Sequence, residues 1–258
     1  MQALSVNELN KMQKKLIISV SLNIFFILTI IFLIYTNGGI ENIKNKISLK
    51  KPEVEKTVKK EKPYWYYTNY EYWLEKKTLF EILPNDSNEI IFIGNSITDG
   101  CEWHELFSNK LIKNRGIGGD NTEGILARLS EITESNPSKI FINVGTNDIA
   151  LKYPVDKICK LYSLILDEIH QNSPETKIFI QSVLPSYKNP SRNNDTIIAL
   201  NSKLKTISNE RNLSYIDLFS QFIDSNGQLD TLYSYDGVHL NGNGYLLWKK
   251  IIEKHLMD

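Results

Sequence analysis

The chain has 258 residues, enough for one α/β domain with an appendage but too few for two large domains. Hydrophobic residues make up 41% and charged residues 23%, a balance that supports a buried core and excludes a globally disordered chain. The formal net charge is zero, so no overall basic field indicates a nucleic-acid partner.

The first predicted element is a membrane anchor at 16–35, which follows a short basic tail at 1–15. This segment, LIISVSLNIFFILTIIFLIY, carries no charge, and about 20 apolar residues match a hydrocarbon core of roughly 30 Å. A cleaved signal peptide is the alternative, but its apolar stretch usually has about 7–15 residues and ends at a small-residue site. The residues at 35–39, YTNGG, are a poor cleavage site, so we predict a single-pass anchor in the lipid bilayer.

The lysines on the two sides of this segment predict opposite membrane orientations. Lys11, Lys14 and Lys15 favour a cytoplasmic N-terminus, whereas four lysines between 44 and 51 oppose it. A signal-anchor with a short basic N-terminus commonly sends its large C-terminal domain across the membrane. We therefore expect the C-terminal domain to be extracytoplasmic.

Two segments with contrasting composition follow the anchor. Residues 36–62 mix lysine, glutamate and asparagine with few large apolar groups, which predicts a charged, solvated linker. The domain predicted at 63–258 opens with a stretch rich in tyrosine and tryptophan, from Tyr64 to Trp73. Aromatic residues at this density predict a helix packed on the domain, with a sugar-binding lip as the alternative.

Strand and helix patterns then alternate to the C-terminus. Near-continuous apolar runs predict strands covered on both faces, hence a parallel sheet. Because the strands alternate with amphipathic helices, we predict an α/β fold, a three-layer α/β/α sandwich with a five-stranded parallel sheet. Ligands bind such sheets beyond the carboxyl ends of the strands. The predicted strands are 89–94, 112–115, 139–145, 177–183 and 213–218, and the predicted helices are 122–132, 155–169, 197–207 and 245–256.

Polar segments follow three of these strands. Ser96 lies just past the first, in GNSITDG, where a nucleophile would be presented near a helix N-terminus, although most serines in that position only cap a helix. Thr98 stands where a Gly-x-Ser-x-Gly elbow would need glycine. NRGIGGDNT follows the second strand, and its glycines permit either close backbone approach to a ligand or a tight turn. Asn147, in GTND, either points its amide into the same cleft or forms an Asx turn.

An aspartate and a histidine lie close together near the C-terminus, in DGVHLNGNGY. Asp236 can accept the Nδ1–H of His239, which leaves Nε2 free to take a serine proton. Each segment alone is common, but GNSITDG, NRGIGGDNT, VGTND and DGVHLNGNGY together resemble the SGNH (GDSL-type) hydrolase family from about Glu89 to the C-terminus. The resemblance is greatest to the branch of platelet-activating-factor acetylhydrolase catalytic subunits and bacterial carbohydrate acetylesterases, with Gly-Asn-Ser in place of Gly-Asp-Ser.

The resemblance implies a flavodoxin-like fold and a role for each matched residue. Ser96 would be the nucleophile, His239 the general base and then acid, and Asp236 the partner that orients it. The backbone N–H groups of Ser96 and Gly119 and the side chain of Asn147 would form the oxyanion hole. The implied activity is a serine esterase for small acyl esters, O-acetyl esters on carbohydrate above all, with no metal and no organic cofactor.

Alternative functions and residues stay open at this point. A lysophospholipase or thioesterase, an O-acyltransferase and a non-catalytic glycan-binding surface protein are the other functions to test, and the sequence does not indicate the oligomeric state. His104 is the nearest rival base, but no acid accompanies it as Asp236 accompanies His239. Cys101 and Cys159 could form one bridge, although we favour two unrelated small apolar side chains. We expect His170 and His255 at the surface, and Asp99, Asp120 and Asp148 as braces of their loops.

Overall fold

The computed structural model describes residues 21–23, 25–29, 32, 35–36, 64–86 and 88–256. The chain divides into two compact units, Met1–Lys60 and Glu61–Asp258. In the first unit the described residues are helical. The predicted tail at 1–15, half of the predicted anchor at 16–35 and nearly all of the predicted linker at 36–62 lie outside the described residues. Among the helices that are described, none combines the length and apolar character needed to cross a membrane.

The second unit is built on one parallel sheet of five strands. Its strand order is β2-β1-β3-β4-β5, which is the order of flavodoxin-like doubly wound folds and confirms the predicted sheet. Gly94 at the end of β1 is in register with Gly116 of β2 and Asn143 of β3, so these three strands end at one edge. The strands are β1 (Ile90–Gly94), β2 (Ile112–Gly116), β3 (Lys139–Asn143), β4 (Lys177–Gln181) and β5 (Ser214–Ile216).

Helices precede the sheet and connect its strands. The α-helices are α1 (Tyr64–Ile82), α2 (Ser96–Asp99), α3 (Trp103–Leu106), α4 (Thr122–Leu126), α5 (Ser130–Thr133), α6 (Thr146–Ala150), α7 (Val155–Asn172), α8 (Asn194–Glu210), α9 (Phe219–Phe222) and α10 (Gly242–Ile252). Short 3₁₀-helices lie at Pro190–Arg192 and Glu253–His255.

One face of the sheet carries a ladder of stacked phenylalanines. Phe92, Phe141 and Phe179 are in register on β1, β3 and β4, and their ring centroids lie 4.9 and 4.5 Å apart. Trp103 of α3 stacks on Phe92 at 4.5 Å, and Trp248 of α10 meets Trp103 edge to face at 5.0 Å. These aromatic contacts fix α3 and α10 on this side of the sheet.

The other face carries isoleucines at the alternate strand positions, such as Ile91 and Ile93, which pack against α7 and α8. Both faces are therefore covered, and the predicted three layers are confirmed. Cys159 packs on this isoleucine face, whereas Cys101 is buried in the aromatic face. Both thiols are free, because the sheet lies between them.

Helix boundaries differ from the predicted ones where caps and turns decide them. The Asn193 side chain accepts hydrogen bonds from the N–H groups of Asp195 and Thr196, so α8 begins at Asn194. The helix predicted from the apolar period began three residues later, at 197. Asn241 caps α10 in the same way. The single helix predicted at 122–132 is wrong: α4 and α5 are separated by a turn in which Arg128 points into the interior.

Helix α1 packs on the domain, as predicted for the aromatic-rich stretch, but it is longer than that stretch. Trp73 and Phe80 are buried and form a small core with Ile117, which lies just past β2. Arg115 of β2 stacks its guanidinium over the Phe80 ring at 4.8 Å. Helix α1 thus covers the connection between β2 and α4.

Candidate active site

Ser96 is the first residue of α2, directly beyond the end of β1. The Asn95 side chain caps this short helix by accepting the N–H of Ile97 at 3.0 Å. The end of β2 lies so close to α2 that a Cβ on Gly116 would come within 2.2 Å of the Asp99 backbone nitrogen. Glycine at this position therefore allows the end of β2 to approach the backbone of α2 closely.

Two short contacts join Ser96 to His239 and Asp236. Ser96 Oγ lies 2.9 Å from His239 Nε2, and His239 Nδ1 lies 2.6 Å from Asp236 Oδ2. The second carboxylate oxygen of Asp236 accepts the N–H groups of Val238 at 2.9 Å and His239 at 2.7 Å. Burial works against ionisation of Asp236, but the hydrogen bonds from His239 and Val238 hold its pKa well below the usual range. Asp236 is therefore an ionised acceptor that fixes the imidazole.

Gly119 and Asn147 lie beyond the ends of β2 and β3, on the two sides of Ser96 in the strand order. Gly119 has a φ of +83°, a conformation that favours glycine. Asn147 Nδ2 donates to the backbone oxygen of Asp120 at 2.9 Å. The Asn147 amide is thus attached to the connection that contains Gly119.

Arg192 is a residue of this site that the sequence analysis missed. It ends the 3₁₀-helix between β4 and α8, and its Nη2 donates to Asn147 Oδ1 at 3.1 Å. Burial lowers the pKa of Arg192, and the nearby carboxylate of Asp236 opposes that shift. One signal was available: the 30 lysines and arginines include only four arginines, so arginine is the exceptional cation here.

A buried cluster of four charged side chains supports the connection that contains Gly119. Arg128 donates from Nε to Asp120 Oδ2 at 2.8 Å, from Nη1 to Glu131 Oε1 at 2.9 Å and from Nη2 to the Arg115 backbone oxygen at 2.7 Å. Arg115 Nε lies 3.5 Å from Glu131 Oε2. Burial raises the pKa of Asp120 and of Glu131, and the Arg128 charge acts in the opposite direction.

Asp99 joins α1 to the connections after β1 and β2. Its Oδ2 accepts the Tyr72 hydroxyl at 2.6 Å and the Gly118 N–H at 3.1 Å, and Lys76 Nζ lies 2.9 Å from its Oδ1. Burial and the hydrogen bond to Asp99 raise the pKa of Tyr72 to about 12, so Tyr72 remains a donor at neutral pH. Helix α1 is therefore fastened next to Gly119.

Asp148, like Asp99 and Asp120, holds a loop by hydrogen bonds. It accepts the Thr122 N–H at 3.1 Å and the Thr122 hydroxyl at 2.5 Å, which ties α6 to the start of α4. Burial raises the pKa of Asp148 to about 6, while the bonds from Thr122 act in the opposite direction.

The remaining histidines lie apart from these contacts. His104 is exposed on α3, with Nε2 at 3.7 Å from Glu105 Oε1. His170 is exposed in the last turn of α7, as predicted, whereas His255 is half-buried with its ring 5.4 Å from that of Phe179. Among the residues that the structure describes, no three His, Cys, Asp or Glu side chains form a group that could hold a metal ion.

Known proteins resemble this region of the chain in sequence and in fold. The sequence model of the GDSL-like Lipase/Acylhydrolase family matches residues 92–247. Platelet-activating factor acetylhydrolase IB subunit alpha2 from Homo sapiens is 28% identical over 194 residues, which cover 72% of this chain and 84% of that protein. A solved structure from Streptococcus pneumonia, named as a candidate platelet activating factor, has a TM-score of 0.65 and 28% identity, covering 73% of this chain and 92% of its own.

The acetylxylan esterase Axe2 from Geobacillus stearothermophilus has the same fold, with a TM-score of 0.54 and 19% identity over 67% of this chain and 95% of its own. The segment that matches the family model contains Ser96, Gly119, Asn147, Asp236 and His239.

Proposed function

The chain belongs to the GDSL-like lipase/acylhydrolase family, also called SGNH hydrolases, and is a serine esterase; from this premise we propose that Ser96 is its nucleophile. His239 is the general base and acid of the proposed mechanism, and Asp236 orients it. The observation that carries the proposal is the pair of contacts from Ser96 Oγ to His239 and from His239 to Asp236, at 2.9 and 2.6 Å. Hydrogen-bond reach between nucleophile, base and orienting acid is the geometry that acyl transfer requires.

The proposed reaction has two steps. Ser96 Oγ forms a bond with the ester carbonyl carbon while its proton passes to His239 Nε2. The C–O bond to the alcohol then breaks, and the alcohol leaves with the proton from His239. Water, deprotonated by His239, attacks the acyl group on Ser96, and the carboxylic acid is released as the proton returns to Ser96. Asp236 stays ionised throughout and stabilises the imidazolium.

The negative charge on the carbonyl oxygen needs donors in both steps. We assign this role to the backbone N–H groups of Ser96 and Gly119 and to the amide of Asn147. Loss of one such donor typically lowers kcat by about 10²–10³, which is the effect expected for Asn147→Ala in steady-state kinetics. A wild-type kcat in this variant would remove Asn147 from the mechanism.

We propose O-acetyl esters on carbohydrate as the substrate class. Two of the similar proteins are named for acetyl esters, one as an acetylhydrolase and one as an acetylxylan esterase. An open cleft of about 660 Å³ adjoins the loop that carries Asp236 and His239, although these two residues and Ser96 lie outside its lining. Tyr235, which is 94% exposed, lines the cleft together with carboxylates and amides, at Glu102, Glu105, Asn241 and Asn243. An aromatic face with polar groups around it suits the alcohol part of a sugar ester.

The test is hydrolysis of p-nitrophenyl esters from acetyl to dodecanoyl by the full-length chain in mild detergent, with Ser96→Ala as the matched control. We expect rapid acetyl cleavage that falls with chain length and disappears in the control. Acetate release from acetylated oligosaccharides, compared with release from an acetylated phospholipid, then separates the two alcohol classes. A preference for long acyl chains would replace the acetylesterase with a lipid esterase or thioesterase, and acyl transfer to an added sugar in preference to water would replace it with an acyltransferase.

We also propose that residues 16–35 anchor the chain in a bilayer, with the hydrolase domain outside the cytoplasm. The support is the uncharged, predominantly apolar run of 20 residues and the basic tail before it. Carbonate extraction of membranes tests the anchor, and protease treatment of intact cells tests the side on which the domain lies. Release by carbonate, or protection of the domain from protease, would contradict the respective half of the proposal.

A further inference from the structure

We propose that Arg192 is a positioning residue that holds the Asn147 amide in the orientation in which it donates to the oxyanion. The inference rests on the proposed role of Asn147 and adds a residue that the matched motifs do not contain. Arg192 belongs to the 3₁₀-helix Pro190–Arg192, and its Nη2 donates to Asn147 Oδ1 at 3.1 Å. A connection remote in sequence from the four motifs thus contacts the proposed oxyanion hole.

The chemistry of the two groups decides which way the amide faces. An asparagine amide has one accepting end and one donating end, whereas a guanidinium only donates. The atom that meets Arg192 is therefore the amide oxygen, and the donating end of Asn147 faces away from Arg192. One of its two N–H groups reaches the Asp120 backbone oxygen at 2.9 Å. The second N–H is then the one available to a substrate oxyanion.

Rotation of the amide by 180° would exchange its two ends. The amide nitrogen would then face the guanidinium, donor against donor, and the amide oxygen would face the Asp120 carbonyl, acceptor against acceptor. Without Arg192, only the contact with Asp120 would select the productive orientation. Removal of Arg192 therefore allows the rotated amide, which presents an oxygen to the developing negative charge.

The surroundings of Arg192 argue against a purely structural role. Its Nη1 lies 3.4 Å from Ser191 Oγ, a long contact with a neighbour in the chain. Its Nε is buried and has no hydrogen-bond partner among the described residues. The contact with Asn147 is therefore the shortest hydrogen bond of this guanidinium, and the Asp236 carboxylate acts on it through charge. Arg128 differs, because all three of its side-chain nitrogens donate.

The experiment is a double-mutant cycle on p-nitrophenyl acetate with the full-length chain, using Arg192→Met, Asn147→Ala and the double variant. If Arg192 acts through Asn147, we expect Arg192→Met alone to lower kcat by about 10-fold to 100-fold, less than loss of the whole donor. We expect KM to stay within about threefold, because the oxyanion exists only after the attack. In the Asn147→Ala background, the same Arg192→Met change should lower kcat by less than about threefold.

Controls separate this role from folding and from direct substrate binding. Arg211→Met is the matched control, since it removes an exposed arginine whose partner is Asp167, and it should leave kcat unchanged. Arg192→Lys keeps a donor and should recover part of the lost kcat. Arg192→Leu replaces Arg192→Met in the cycle if that variant does not fold. Losses that multiply in the double variant, or a rise in KM at constant kcat, would overturn the inference. Absence of Ser96-dependent turnover in the wild type would instead overturn the proposed function itself.

Discussion

Replacement of Arg128 by methionine tests whether the buried charge cluster holds the connection that contains Gly119. Arg128 is fully buried and donates three hydrogen bonds of 2.7–2.9 Å, two to carboxylates and one to a backbone oxygen. Methionine fills part of the same volume but leaves Asp120 and Glu131 without this cation. Removing one partner from a buried ion cluster costs about 3–5 kcal/mol, a large share of the roughly 5–15 kcal/mol that stabilises a typical domain.

The assay is urea unfolding followed by tryptophan fluorescence. All four tryptophans lie in Glu61–Asp258, so their fluorescence reports on this unit. Arg211→Met is the control, because an exposed ion pair such as Arg211–Asp167 contributes about 0–1 kcal/mol. We expect Arg128→Met to lower the free energy of unfolding by at least about 3 kcal/mol at neutral pH and the control to lower it by less than about 1 kcal/mol.

The pH dependence of this loss provides a second check. Burial raises the pKa of Asp120 and of Glu131, and Arg128 opposes it, so without Arg128 both pKa values rise further in the folded state. A group whose pKa is raised on folding contributes stability at low pH and loses it as the pH rises through the folded-state pKa. The deficit of Arg128→Met should therefore be smaller near pH 5 than near pH 8. A deficit that equals the control, or one that does not change with pH, would refute this account of the cluster.

Three further predictions concern the loops and the cleft. Burial raises the pKa of Asp148 to about 6, so the stability that this group gives the wild type is lost as the pH rises from about 4 to about 7. In urea titrations, the free energy of unfolding of Asp148→Asn should therefore rise relative to that of the wild type over this range. A difference that does not change with pH would contradict the shift. Tyr72→Phe removes the hydrogen bond to Asp99 and should lower kcat about threefold to tenfold at constant KM, and an unchanged kcat would show that α1 does not position the loop. Tyr235→Ala should raise KM for an acetylated oligosaccharide about tenfold but not for p-nitrophenyl acetate; equal changes on both substrates would exclude the cleft as the sugar site.

The elements of the sheet could be predicted because their signals are local. The apolar runs that end at Gly94 and Asn143 have the composition of strands buried on both faces, and the structure places β1 and β3 there. The two helices between Thr122 and Thr133 were harder to predict, because the apolar residues there keep a helical period although the chain turns at Arg128. The turn depends on partners in β2 and α5, and periodicity does not contain that information.

The candidate site divides in the same way. Ser96, Asp236 and His239 could be proposed because four short motifs occur together and the sheet topology brings the strand ends to one edge. Arg192 could not, because its segment has no motif and its partner is 45 positions away in sequence. Only four of the 30 lysines and arginines are arginines, which makes each arginine informative. Arg115 and Arg128 use the planar, multiple-donor guanidinium in the buried cluster, which lysine could not reproduce.

Helix α1 sets a practical limit on how this hydrolase can be trimmed. The family match begins at residue 92, well after α1 ends at Ile82. A fragment cut at the family boundary would keep every proposed catalytic residue but lose Ile90 and Ile91 of β1 together with Trp73 and Phe80 of α1. Ile117, beside the connection that contains Gly119, would then be exposed. Such a fragment should aggregate or turn over poorly even though its motifs are intact. A shortened enzyme should therefore keep the whole of α1 and begin near Glu61, where the compact unit begins.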